Sequence, residues 1–274
     1  MSPKVCFETT AVIEYCFWGQ DCRKKLDDIV GGRPRIVLGY VVFEVFRGYL
    51  QNLRLLYAKT KQLKRFSQIF PYVAHARMRG HLQGTICGAL QFYFEQNTTA
   101  AAMDDEARLR FFRAFLRRQL RRNSKKVVQL GEEKMNRVGC RAPISGVEID
   151  NSDNVIIPIE RKLCGPRRNC GLKAYSSQNR ASLEKLRNGL RALPNPDQET
   201  ANRIRALREL YRVPKDDFKH GDCYHAGDAL IAHECPPDAA ILTSNDKHFD
   251  PICRLLGREL ISFKAKMAPL PKVS

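Results

Sequence analysis

Hydrophobic and polar positions divide the chain into short unbroken apolar runs and longer helical stripes. KVCF (Lys4–Phe7) reads as a short buried strand, and ETTAVIEYCFW continues from it as a turn and a helix. DDIVGG and GRPR mark a loop. IVLGYVVFEVFRGYLQNLRLLY, which follows, suits either one long buried helix or a strand–helix pair, because periodicity does not separate the two. Residues 58–103 are helical in character.

DDEARLRFFRAFLRRQLRRNSKK is the clearest helix. Asp104, Asp105 and Glu106 open it and arginines crowd its far end, the polarity that the helix macrodipole favours. Leu109, Phe112, Leu116 and Leu120 keep helical spacing, with Arg110, Arg113, Arg117, Arg118 and Arg121 largely off that stripe. Residues 123–182 are richer in Gly, Pro, Ser and Asn, with a β-like run at NVIIPIE and a basic loop at KLCGPRRNCGLK. ASLEKLRNGLRAL and ETANRIRALRELYRV return to helix. A helix then opens at Asp228, a Pro-Pro step stops it, AAIL forms a strand and GRELISF supplies a last one.

Charge changes this picture more than composition does. The 274 residues carry a net +18, and 43% are hydrophobic, enough for a packed core. Residues 1–44 hold six Lys/Arg against six Asp/Glu, residues 216–274 seven against nine, and residues 45–215 hold 34 against 14. All the excess therefore sits in the middle, which points to a surface for a polyanion beside a separate acidic site. The arginine helix, including Arg122, is the candidate phosphate-contacting face, a solvated surface being the plainer alternative. No apolar run approaches the ~18 residues of a membrane span. The N-terminus lacks a secretory pattern and the ten cysteines are scattered, so cytoplasmic, reduced thiols are expected.

Four acids fall at element ends. Glu8 directly follows the first strand, Glu44 interrupts YVVFEVF, Asp228 opens DALIA, and Asp246 lies just past AAIL. Capping or turn formation explains Glu8, Asp228 and Asp246 singly. Glu44 is harder to explain that way, since a carboxylate among Val and Phe is costly unless paired or metal-bound. Together they suggest a site for a hard cation at the carboxyl ends of strands in an open α/β sheet.

This constellation resembles the PIN-domain nuclease family. The matching steps are Glu8-Thr9-Thr10 after the first strand, the lone Glu44, Asp228-Ala229-Leu230-Ile231-Ala232, and Ser244-Asn245-Asp246-Lys247-His248-Phe249. Two registers of the last step stand open: counted from Thr243, Asn245 takes the acid position; counted from Ser244, Asp246 does, and its spacing to Phe249 favours the second. The family usually has Asp where this chain has Glu8. The resemblance implies a three-layer α/β/α fold around a parallel sheet, built from residues 1–50 and 216–274; residues 51–215 exceed what a minimal PIN domain needs and read as a basic, mostly helical insertion that binds RNA or a partner. It implies metal-dependent ribonuclease activity leaving 5′-phosphate and 3′-hydroxyl ends, with Glu8, Glu44, Asp228 and Asp246 holding Mg2+ or Mn2+. Thr9, Thr243, Ser244 and Asn245 would support them, and His225, with the arginines, would touch a structured RNA such as transfer RNA. A toxin or defence role, an inhibitory protein partner and a homodimer accord with the family. The alternative is a noncatalytic RNA- or protein-binding module on the same fold. Zinc on His220, Asp222, Cys223, His225, His233 and Cys235, or on Cys140, Cys164 and Cys170, matches no standard spacing. No single cysteine stands out as a nucleophile.

Overall fold

The computed structural model describes residues 3–75, 80–140, 143–158, 171–211 and 220–265. Its strands are β1 (Lys4–Phe7), β2 (Arg35–Leu38), β3 (Glu133–Met135), β4 (Glu148–Ile149), β5 (Val155–Ile156), β6 (Ala239–Thr243) and β7 (Leu260–Ser262). Five of them make one sheet, in the order β3-β2-β1-β6-β7, and every pairing in it is parallel. β4 and β5 form a separate antiparallel hairpin.

Helices flank this sheet. α1 (Thr9–Phe17) and α2 (Gly19–Val30) join β1 to β2. α3 (Gly39–Val45) follows β2 and runs through a wider turn at Phe46–Leu50 into α4 (Gln51–Gln62). α5 (Ile69–His75), α6 (Gly80–Gln96), α7 (Asp105–Arg118) and α8 (Ser124–Gln129) precede β3. α9 (Leu172–Gln178), α10 (Arg180–Arg191), α11 (Gln198–Tyr211), α12 (His220–His225) and α13 (Gly227–Glu234) lead to β6, and α14 (Asp246–Leu256) joins β6 to β7. The architecture is therefore α/β and rich in helix.

The strand sequences follow from where the strands lie. A parallel strand covered on both faces reads as a continuous apolar run. Val5, Cys6 and Phe7 of β1 and Ala239–Leu242 of β6 have no exposed surface, and Thr243 at the end of β6 is equally enclosed. β3 and β7 are the sheet edges and are only partly buried. The ambiguous run after GRPR resolves as a strand–helix pair, ending β2 at Leu38 and opening α3 at Gly39.

The order of strands positions the site. After β1 the chain builds outward through β2 and β3, then returns to the other side of β1 with β6 and β7. The switch falls between β1 and β6, whose carboxyl ends flank the crevice where open α/β sheets take ligands. The segment 51–215 is not confined to a satellite of helices: it supplies β3 to this sheet and the hairpin β4–β5. Of its predicted features, KLCGPRRNC with Cys164 and Cys170 lies outside the described residues. The described cysteines are all free thiols, buried except for partly exposed Cys87. Among the described residues, no helix is long and apolar enough to cross a membrane.

The arginine helix forms as its pattern predicts. Asp104 caps α7, accepting from the backbone N–H groups of Glu106 and Ala107 at 3.0 and 2.7 Å. Leu109, Phe112, Leu116 and Leu120 are all buried, and Phe112 packs edge-on against Phe66 and Tyr93. Arg113 departs from the expected phosphate-facing set. Its guanidinium donates to the Thr60 and Leu63 carbonyls at the end of α4, with Nε on Thr60 at 2.9 Å and Nη2 on Leu63 at 2.7 Å. The Leu63 N–H also donates to the Thr60 carbonyl at 3.2 Å, and the cation adds further partners at this helix end, where the last carbonyls have few of their own. Arg113→Met should therefore lower unfolding stability by about 1–3 kcal/mol. Urea denaturation measures this; an unchanged midpoint would mean that water serves the carbonyls equally well.

Candidate metal centre

Glu8 sits where β1 ends and α1 begins, and it has 2% of its surface exposed. It is the N-cap of α1: Oε2 accepts from Thr10 N–H at 2.9 Å, and Oε1 accepts from Ala11 N–H at 3.3 Å and from the Thr10 hydroxyl. The Thr243 hydroxyl, at the end of β6, donates to the same Oε1 at 3.0 Å. One carboxylate thus ties the two strands of the switch point together. Ser244 tightens the seam, its N–H and hydroxyl reaching Thr10 Oγ1 at 3.2 and 2.8 Å.

Glu44 reaches the same crevice from α3, where the Thr9 hydroxyl donates to its Oε2. α13 passes close above it. A Cβ at Gly227 would stand 2.9 Å from the Tyr40 hydroxyl oxygen and 3.3 Å from Glu44 Oε1, so the missing side chain is what admits this approach. Asp228 follows in the first turn of α13. Glu8 and Glu44 are both pushed up from the ordinary carboxylate range to about 7. Burial is the main cause in each. The hydroxyl and amide donors pull back, and the charge of Asp228 adds to the upward push. Three of the four acids singled out in the sequence therefore share one electrostatic environment.

Asp246 does not join them. It is exposed at the start of α14, and its Oδ2 accepts from the Ser262 hydroxyl on β7 at 2.5 Å. Asn245 instead faces the cluster: its side-chain amide lies 3.1 Å from His248 Nδ1, and its N–H donates to Thr243 Oγ1 at 2.8 Å. Of the two registers, the one counted from Thr243 is the one with a side chain at the site. His225 is partly exposed at the end of α12, with its ring against Tyr224. Arg118, Arg121 and Arg122 are exposed, whereas Arg117 pairs with Asp153 at 3.0 Å.

α11 brings residues that sequence reasoning did not select. Arg203 is buried, with its Nη2 2.5 Å from Asp228 Oδ2, while its Nε and Nη1 have no hydrogen-bond partner among the described residues. Glu199, one turn earlier, lies 3.1 Å from His248 Nε2, and His248 Nδ1 lies 3.6 Å from Asp228 Oδ2. Glu199, Asp228 and His248 can present ligand atoms within 4.8 Å of one another. ETANRIRALRELY carried no signal for this, since a charged amphipathic helix gives no sign of which arginine will be buried.

The donor set accommodates a divalent cation better on one side than the other. Glu8 has both oxygens engaged by α1 and Thr243, so it orients more than it ligates. Asp228, with Glu199 and His248 beside it, offers the converging ligand atoms, and Glu44 shares the electrostatic environment of Asp228. Carboxylates outnumber cations here, with Arg203 on Asp228 and the charge of Arg47 felt at Glu44. A further positive charge would relieve that imbalance.

Raised carboxyl pKa values have a definite sign in stability. The folded state holds protons on Glu8 and Glu44 that the unfolded chain releases above its ordinary 4.5. Their stabilisation is full below that value and is lost as pH rises through about 7. In EDTA, the thermal midpoint should fall between about pH 5 and 7.5, and Glu44→Gln, which cannot ionise, should flatten that fall. An identical pH profile in the variant would mean that Glu44 is not desolvated in solution.

Comparison with known proteins returns no match, whether to a family model, a curated protein or a solved structure. The functional reading accordingly stands on geometry and residue chemistry.

Proposed function

We propose that this chain is a divalent-metal-dependent endoribonuclease of PIN type, cutting RNA to leave 5′-phosphate and 3′-hydroxyl ends. The observation that carries the reading is the convergence of Glu8, Glu44 and Asp228 at the carboxyl ends of β1 and β6, where the strand order reverses. In this reading the five-stranded sheet and its flanking helices are a three-layer PIN-like core, to which 51–215 contributes β3 while the rest of that segment is the RNA-binding elaboration. Mg2+ or Mn2+, when bound, would lower the pKa of an attacking water and neutralise charge developing on the phosphate. Glu44 and Asp228 would hold it. Thr9 fixes the rotamer of Glu44 by its hydrogen bond, and Thr10 and Thr243 do the same for Glu8. The exposed Arg118, Arg121 and Arg122 would hold the RNA strand through its phosphates.

A second reading has one observation in its favour. The Arg203 guanidinium already neutralises Asp228, as in a site given over to an internal ion pair. A noncatalytic RNA- or protein-binding module would carry that pair without cost to function.

Total RNA incubated in Mn2+, in Mg2+ and in EDTA separates the two. Discrete fragments with 5′-phosphates are expected with metal alone, and Glu44→Gln should slow their appearance by roughly 100-fold or more while leaving RNA affinity nearly unchanged. RNA binding with no cleavage in either metal would favour the binding module. Asp228→Asn is the less clean variant. It leaves a buried guanidinium without its counter-charge, and urea denaturation should show a loss of about 3–5 kcal/mol; a fully stable variant would mean that the Arg203 pair contributes little.

A further inference from the structure

Away from the carboxylates, a cavity of about 370 Å3 lies between α4, α7 and the β4–β5 turn, lined by Tyr57, Lys61, Arg113, Ala114, Arg117 and Asp153. Three of these side chains are cationic and one is anionic. The single carboxylate is paired with one of the cations. Arg117 Nη1 lies 3.0 Å from Asp153 Oδ1, and Tyr57 lines the same hollow beside that carboxylate. Lys61 Nζ donates to the Asp153 backbone carbonyl at 3.2 Å. Arg113 adds a fixed charge: Nε and Nη2 are anchored on the Thr60 and Leu63 carbonyls, and Nη1 takes part in none of those bonds.

The turn that delivers Asp153 is itself built. Asp150 accepts from the N–H groups of Ser152 and Asn154 at 2.9 and 2.8 Å, and Asp153 has φ 60°, a left-handed conformation uncommon outside glycine. A guanidinium fork, an ammonium and a phenol hydroxyl around a small hollow are the donors that recognise a phosphate group. A carboxylate offers fewer acceptor oxygens than a phosphate and less charge.

We propose that this cavity is a phosphate-binding site, with Tyr57, Lys61 and Arg117 as its donors and Asp153 as an internal occupant that the incoming phosphate displaces. The phosphate is assigned to an RNA strand because exposed Arg110, Arg118, Arg121 and Arg122 extend the positive surface along the same helix and its continuation, beyond what one small anion needs. That assignment of source rests on the ribonuclease reading, whereas the anion site does not.

The test uses the full chain, a fluorescently labelled RNA hairpin followed by anisotropy across a range of NaCl, and a calorimetric titration with inorganic pyrophosphate. Arg113 is left intact because it caps α4. Asp153→Asn should tighten RNA binding by roughly three- to tenfold, since it removes the competing charge. The double variant Lys61→Ala/Arg117→Ala should weaken binding by roughly tenfold or more and reduce the slope of log K against log salt by about one to two. Both of its positions are exposed, so its fold should persist, and circular dichroism checks this for each variant. Wild-type RNA binding with unchanged affinity and slope in both variants would overturn the cavity as an RNA contact while leaving the ribonuclease reading standing. If the wild type binds no RNA, that reading fails and pyrophosphate decides the cavity. Pyrophosphate binding strengthened by Asp153→Asn and lost in the double variant would establish a site for a free phosphate compound; no pyrophosphate binding would overturn the proposal.

Discussion

A carboxylate at the end of a fully buried central strand has to find its donors from the elements around it, and in this protein those donors come from both sides of the switch in strand order. Glu8 takes backbone N–H groups from the first turn of α1 and a hydroxyl from the last residue of β6. A group that caps a helix and pins a neighbouring strand cannot move independently of either. The crevice is therefore set by the same bonds that close the sheet. Glu44 and Asp228 then approach on α3 and α13, and the close passage of α13 depends on Gly227 having no side chain. Burial raises the proton affinity of Glu8 and Glu44, and the neighbouring charge of Asp228 adds to it.

Much of the sheet was legible from the chain because parallel, doubly covered strands leave no choice of residue. KVCF and AAILT are apolar at every position but their ends, and neighbouring Gly, Pro and polar clusters bound them. β3 was not legible. EKM is short, charged and at an edge, so it carries neither an apolar run nor a full alternation, and only its register with Ile36–Leu38 makes it a strand. The acids were legible where their surroundings made them costly, as at Glu44, or where they followed a strand, as at Glu8. The last motif misled by counting. The spacing to Phe249 favours Asp246, but α14 begins there and turns that carboxylate toward Ser262, leaving Asn245 to face His248.

α11 shows why a basic middle segment cannot be read as a separate appendage. Glu199 and Arg203 stand one turn apart, the first partly exposed beside His248 and the second buried on Asp228. Their sequence distance from the acids is large, and their own neighbourhood, NRIRALREL, contains other arginines at helical spacing that face solvent. Nothing local distinguishes Arg203. Its burial is decided by the packing of α11 against α12 and α10, a tertiary fact that composition averages away. The same holds for Arg113, whose spacing suits a phosphate-facing stripe and whose charge in fact satisfies the end of α4.

These assignments sharpen what the net charge means. A count of +18 treats every Lys and Arg as equivalent, yet the fold sorts them by the work available at each position. Arg203 is bound up in the interior, half-buried Arg113 is spent on the end of α4, Arg117 is matched by Asp153, and Arg110, Arg118, Arg121 and Arg122 are exposed on one helix and its continuation. Of these arginines the last group is the most accessible, because a guanidinium already paired in the native state must lose one partner to gain another. The field that steers a nucleic acid depends on total charge, but the contacts that hold it depend on cations left unmatched by folding. Acidic crevice and basic helix are thus separated by packing rather than by sequence alone. α11 joins the two parts, lending one guanidinium to the acids while its own segment carries the positive excess.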